Sequence, residues 1–355
     1  MFNQPVAGIV ATVLIMALSL GFISLFSFEL FTGWVSYSLM CIIPTSIMVG
    51  VVWGRNPPEF IAKLEPPTKG LCLLAVTFLS GLIAGSIMFY VVGGGLTPLA
   101  PMLIHFTIVT IGTMFWLTII MGAWPILPNI KSPVLAGLVI LVVAHVISFA
   151  LFQLFYSYEF LAETPIYVAR LDPRGLFNAW EATVFYVSFI TMMFVILHLD
   201  LWPLTKAPAL MKQPMLGLVF TIVTLCLSVI IYYLALSVFK LNVVTFMATV
   251  LIPFVFGSVI ILNMLQDSLF SKFTQPLKGI LKISLALIVG LGLAKIFFAL
   301  SALVTRELGM GPPSFEREIW LASALLSVTF PFLLVFADYF QFGGLLKKNS
   351  PAKPE

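Results

Sequence analysis

Apolar residues run almost unbroken along the chain, in stretches of roughly 20 that short clusters of proline, glycine and lysine interrupt. At a rise of about 1.5 Å per residue, such a stretch is what a hydrocarbon core of about 30 Å asks of a helix. The pattern predicts ten helices, near residues 5–28, 33–53, 71–93, 102–124, 133–156, 181–202, 215–239, 243–266, 280–304 and 319–340. No lysine or arginine precedes the first run, which is longer than a signal-peptide core, so it is expected to be retained as a helix. The chain reads as one all-α transmembrane domain over residues 1–355.

The even-numbered runs end alike. In "VVWGRNPPEFIAKLEPPTKG", "GAWPILPNIKSP", "DLWPLTKAPALMKQP", "SLFSKFTQPLKG" and "DYFQFGGLLKK", an aromatic is followed by a lysine and usually a proline. The aromatics Trp53, Trp124, Trp202, Phe270 and Phe340 are spaced by 71, 78, 68 and 70 residues, the length of a helical hairpin. The openings "LFTGW" and "LFNAW" also match, and Pro44 and Pro331 each lie nine residues before a closing aromatic. Five tandem parallel hairpins are expected, at 1–70, 71–132, 133–214, 215–278 and 279–355. Selection for aromatic and basic residues at membrane interfaces is the alternative source of the likeness. Parallel hairpins do not suit inverted-repeat transporters, and the sixth run lacks the glycine or proline break of such folds.

Charge adds direction. Twelve basic residues fall on one side: Arg55, Lys63, Lys69, Lys131, Lys206, Lys212, Lys272, Lys278, Lys282, Lys347, Lys348 and Lys353. The other side holds five, Arg170, Arg174, Lys240, Arg306 and Arg317, with most of the acids. The positive-inside rule then places both termini in the cytoplasm of a cell (inner) membrane.

Composition agrees with this picture and removes other classes. The 355 residues are 61% hydrophobic and 9% charged, with mean hydropathy +1.13, beyond what a soluble domain keeps in solution. The net charge of +4 has no aromatic-basic cluster beside it, so no nucleic-acid partner is expected. Cys41, Cys72 and Cys226 sit within apolar runs with no CxxC spacing, which suits neither disulfides nor zinc. Zinc-protease, nucleophile-elbow and P-loop motifs are lacking. Gly81 and Gly85, in GxxxG spacing, point to close helix contact.

Ionisable residues at membrane depth are costly and therefore candidates. Lys295 lies about 22 Å into the ninth run, where it snorkels outward, pairs with Glu307 or Glu29, or binds an anion. His145 and His105 differ in depth by about 6 Å, and haem ligation by the two would need them facing each other at one level. His198 and Asp200, then Asp267 and Asp338, stand at the ends of three even helices, where they would form a carboxylate layer at a cytoplasmic mouth. His198 and Asp200, at i and i+2, diverge by about 200° on a helix and cannot share a metal without distortion. The long outer connections, residues 157–182 and 305–319, suit capping of the bundle or docking of a protein partner.

Two functional classes follow, with a third behind them. The first is a solute transporter or channel, anion-conducting or proton-coupled, with Lys295, His145, His105, His198, Asp200, Asp267 and Asp338 along its path. The second is a membrane-embedded subunit of a larger respiratory or electron-transfer assembly that binds quinone or lipid. A lipid-modifying enzyme would need a general base, for which His198 with Asp200 is the candidate.

Overall fold

A computed structural model describes residues 2–54 and 56–346; Arg55, Lys347, Lys348 and Lys353 lie outside the described residues. Among the described residues, ten helices are long and apolar enough to cross a membrane: α1 (Val6–Ile23), α2 (Phe28–Trp53), α3 (Thr68–Val91), α4 (Pro101–Ile120), α5 (Pro133–Phe155), α6 (Ala179–His198), α7 (Met215–Val238), α8 (Val243–Met264), α9 (Leu277–Val304) and α10 (Glu316–Tyr339). The expected ten spans are thus present, shifted by a few residues at their ends. The Phe2 amide donates to the Leu345 carbonyl at 2.7 Å, so both described chain ends share one side, here the terminal face. The opposite side is the far face.

Burial divides the helices into two classes. Between 56 and 83% of each even-numbered helix's apolar window is buried inside the protein, against 22 to 44% for the odd-numbered ones. The even helices touch in the order α2, α4, α6, α8, α10 and back to α2, which closes an inner ring. Each odd helix leans on two of them from outside: α1 on α10 and α8, α3 on α2 and α10, α5 on α4 and α2, α7 on α6 and α4, α9 on α8 and α6. Small residues permit the closest crossings. Gly81 and Gly85 of α3 lie against Ile42 and Cys41 of α2, and Tyr37 donates to the Gly85 carbonyl at 2.6 Å. Gly290 of α9 lies against the Pro253 carbonyl of α8.

A side-chain device ties the two rings at the terminal face. Three odd helices start with Gln-Pro-x-x-Gly: "QPVAG" from Gln4, "QPMLG" from Gln213 and "QPLKG" from Gln275. Each carboxamide accepts from the glycine amide four residues on, at 3.3 Å for Gly8 and 3.0 Å for Gly217 and Gly279. Each also donates to the carbonyl of the last residue of an inner helix: Gln4 to Met264 at 3.1 Å, Gln213 to Ile120 at 3.0 Å, Gln275 to His198 at 3.2 Å. One group thereby serves an orphan donor of one helix and an orphan acceptor of another. The glycine is required because any Cβ there would strike the inner helix end or the carboxamide. The remaining two inner ends are joined differently, Trp53 by donating from its indole to the Pro133 carbonyl at 2.9 Å and Tyr339 through its carbonyl, which packs on Gly70.

Four inner helices finish in a widened π turn, over Val49–Trp53, Trp116–Ile120, Ile260–Met264 and Val335–Tyr339. In α8 and α10 a further π turn, Met247–Leu251 and Ala324–Thr329, immediately precedes Pro253 and Pro331. A proline clashes with the carbonyl four residues back, and the wider turn makes room for it. Helix α6, without proline or glycine, has no such turn.

The carboxamide tie should be measurable. Gln213→Leu leaves the Gly217 amide and the Ile120 carbonyl without that partner, and is expected to lower stability by about 1–3 kcal/mol. Thermal unfolding in mild detergent would read this as a lower Tm, and an unchanged Tm would show that the tie contributes nothing.

Candidate functional site

On the axis of the inner ring, three phenylalanines meet. Phe115 of α4 packs edge-on against Phe194 of α6, centroids 5.7 Å apart, and against Phe330 of α10 at 6.2 Å. Because α4 and α10 are not neighbours in the ring, the Phe115–Phe330 contact crosses its middle. All three rings are buried and form an aromatic layer across the ring, called the plug below.

Polar groups lie on both sides of this plug along α10. Ser327, three residues before Phe330, shares a hydrogen bond of 3.1 Å with Ser36 of α2. Asp338, eight residues after Phe330, is about 12 Å nearer the terminal face. Its Oδ2 fills the space beside Gly50 of α2, where a Cβ would stand 2.8 Å away, and the Asn263 side chain of α8 lies against it. Asp338 therefore sits between two other inner helices and keeps accessible surface there.

The densest charge lies off the axis, where α9 wedges between α6 and α8. Both inner helices end in paired left-handed residues, Asp200 and Leu201 (φ 50° and 62°) and Gln266 and Asp267 (φ 49° and 54°). Aspartate tolerates that conformation better than most side chains. The turns aim both carboxylates at Lys278 and Lys282, one helical turn apart on α9. Lys278 stands 3.1 Å from Asp267 and 3.8 Å from Asp200, while the fully buried Lys282 pairs with Asp267 and lies 3.9 Å from Asp200. Gln275 donates to Asp200 at 2.6 Å. Burial pushes the Asp267 carboxyl up, but the hydrogen bonds and charges of Lys282 and Lys278 outweigh it and hold the group below the usual carboxylate range. His198 is fully buried beside this cluster, and neither ring nitrogen has a protein partner.

Sequence reasoning took Lys278 and Lys282 for loop lysines. The helix starts at Leu277, three residues earlier than expected, and carries both inside the bundle. The available signal was the Gln-Pro-x-x-Gly register, in which Lys282 takes the place of Phe220 in α7 and Ala11 in α1. Those two equivalents are buried and apolar, so this one interface of the three is charged.

The other candidates are apart from one another. Lys295 is exposed on α9, off the buried stripe of Gly279, Lys282, Ala286, Gly290, Ala294 and Phe297, and has no ion pair among the described residues. His145 is half-buried on α5, against α2 and α4 and so across the ring from α9; its Nδ1 lies 2.7 Å from its own helix's Leu141 carbonyl. His105 of α4 is buried in an aromatic cage, with Nδ1 2.9 Å from the Tyr158 hydroxyl and the ring edge-on to Trp180. Burial pushes the Tyr158 phenol well up, which leaves it protonated and able to donate to that nitrogen. Among the described residues, no group of three metal-ligating side chains comes together.

Both long far-face connections fold back on the bundle. In the first, Tyr156–Ser157 pairs in parallel with Phe177–Asn178, and Asp172 accepts from the amides of Tyr158 and Arg174 at 3.1 and 2.9 Å. In the second, Arg306 bridges Glu316 at 2.9 Å and Glu29 at 3.4 Å, joining the far ends of α9, α10 and α2.

A cavity of about 520 Å³ opens in the far half of the protein between α5 and α7, with α4 and α6 at its back. Its walls are apolar and largely aromatic, and Glu181, in the first turn of α6, stands at its rim. Comparison with protein-family models, curated proteins and solved structures gives no match for the chain.

Removing one member of the charged cluster should cost more than removing two. Lys282→Met is expected to destabilise by about 2–4 kcal/mol, less than for a fully enclosed pair because Asp267 is partly open, and adding Asp267→Asn should recover part of it. Because Asp267's pKa is lowered on folding, its contribution is complete above its ordinary pKa of about 4 and is lost as pH falls through the lowered value. Unfolding scans from pH 7 down to about 3 should show this acid loss in the native chain and a smaller one in Asp267→Asn.

Proposed function

We propose that this multi-pass membrane protein conducts a small solute along the axis of its inner five-helix ring, as a channel or transporter, and that Phe115, Phe194 and Phe330 close the path. The observation that carries this reading is the Phe115–Phe330 contact across the ring, which puts a dewetted constriction where a path would run. Polar groups above and below it, Ser36 with Ser327 and Asp338 with Asn263, support the same axis. The terminal face is taken as cytoplasmic from the excess of basic residues on that side.

Asp338 favours proton-coupled over free-anion movement. A carboxylate in a narrow path repels anions when ionised and accepts a proton when its charge is costly. Lys295, the expected anion contact, is on the outer helix layer and away from the axis. Asp200, Asp267 and His198 are assigned to the α6–α8–α9 junction, where they set the ring's rigidity beside the mouth. We also take the repeated Gln-Pro-x-x-Gly ties and the constant step from each odd helix to its two inner partners as support for a fivefold duplicated hairpin. The second reading, a membrane subunit that holds a lipid-soluble ligand, draws support from the far-half cavity.

Proteoliposome flux tests the first reading. Phe115→Ala should raise leak of small monovalent ions by about tenfold or more as the constriction wets, and Asp338→Asn should flatten the pH dependence of that flux. Phe115→Ala liposomes as tight as those of the native chain, with the variant folded, would sink the axial path.

A further inference from the structure

The far-half cavity has the shape and chemistry of a site for one lipid chain. It lies where α5 and α7 lean on opposite sides of α4. Val109 and Thr113 form its floor, Leu151 and Phe155 of α5 one wall, and Leu225 of α7 the other. Along α7 the lining runs from Thr221 to Tyr232, eleven residues or about 16 Å, close to half of a 30 Å hydrocarbon core. One leaflet's acyl chain has that reach.

The polar atoms inside are already engaged. Thr113 and Tyr186 share a hydrogen bond of 2.7 Å, and Trp116 donates to Thr221 at 3.0 Å, which itself donates to the Gly217 carbonyl at 2.6 Å. A ligand headgroup placed at this depth would find few free partners, whereas a hydrocarbon tail needs none. At the open end the situation reverses. Glu181 is exposed at headgroup level and has no ion pair among the described residues. A carboxylate there complements a primary ammonium and repels an anionic headgroup.

We propose that this cavity binds a phosphatidylethanolamine of the far leaflet, with one acyl chain between α5 and α7 and the headgroup ammonium on Glu181. The cavity is lined by residues other than Phe115, Phe194 and Phe330, and lipid retention is read without flux, so the flux test above and the test below fail separately.

The intact chain, reconstituted in nanodiscs of phosphatidylethanolamine, phosphatidylcholine and phosphatidylglycerol in equal parts, is exchanged into mild detergent and its retained lipid identified by native mass spectrometry. The expected result is one retained phosphatidylethanolamine per chain. Glu181→Gln should lower the preference for ethanolamine over choline headgroups about two- to five-fold, the scale of an ion pair at a hydrated interface. Leu225→Trp, at a position 40% exposed where an added ring is tolerated, fills the slot and should abolish retention with Tm unchanged. Retention unaffected by Leu225→Trp, a headgroup preference unaffected by Glu181→Gln, or a retained quinone in place of phospholipid would each overturn the proposal.

Discussion

Within a bilayer no water is at hand for an unpaired backbone group, so every helix end must be satisfied by protein or reach the interface. The inner helices finish among other helices, and in three of the five the last carbonyl is taken by a glutamine from a distant part of the chain. Gln275 reaches the carbonyl of His198 and Gln213 that of Ile120, while Gln4 takes the carbonyl of Met264 from the opposite direction in sequence. The contact of α10 with α2, bridged by α3, closes the ring. The axis, the plug and the outer crevice all presuppose this closure.

With the ring closed, five helices share a narrow centre, and what fills it decides whether the molecule is a solid bundle or a gated one. Aromatic rings from α4, α6 and α10 fill it at one level, while an exposed aspartate and an asparagine hold another level nearer the terminal face. A bundle that only anchors other proteins has no need of an ionisable group in an inner helix, and Asp338 has no ion pair among the described residues. Asp338 is therefore the residue whose presence the fold alone does not explain.

Periodicity showed ten spans in the sequence, since apolar runs of membrane length have no competing reading. Their layering left only a faint trace, mean hydropathy of 2.2–2.7 in the odd runs against 1.8–2.3 in the even ones, because lipid-facing and protein-facing helices are both apolar and differ mainly in how much neighbouring protein covers them. The interface exits "GAWPILPNIK" and "DLWPLTK" stand out by their aromatics, but the informative residues are the Gln-Pro pairs such as Gln213-Pro214 and Gln275-Pro276, whose role requires knowing which distant helix ends beside them. The grouping of Asp200, Asp267 and Asp338 as one layer rested on similar distance from the helix ends. The structure brings Asp200 and Asp267 together around Lys278 and Lys282, and places Asp338 on α10 between α2 and α8. A one-dimensional reading fixes depth and leaves the direction around the ring open.

The polar features are distributed unevenly around a nearly even ring, and that asymmetry bears on movement. For the axis to open, Phe115 and Phe330 must part, so α4 or α10 must shift against the rest. The α6–α8 sector is pinned through α9 by two lysines and two carboxylates, and α8 crosses α9 at backbone contact through Gly290. Around α4 the polar contacts are neutral, a few hydrogen bonds such as Trp116 to Thr221 and Gln213 to Ile120. Displacing α4 therefore breaks fewer charged contacts than displacing α6 or α8. An acyl chain in the crevice would add contacts to α4 and raise the cost of moving it.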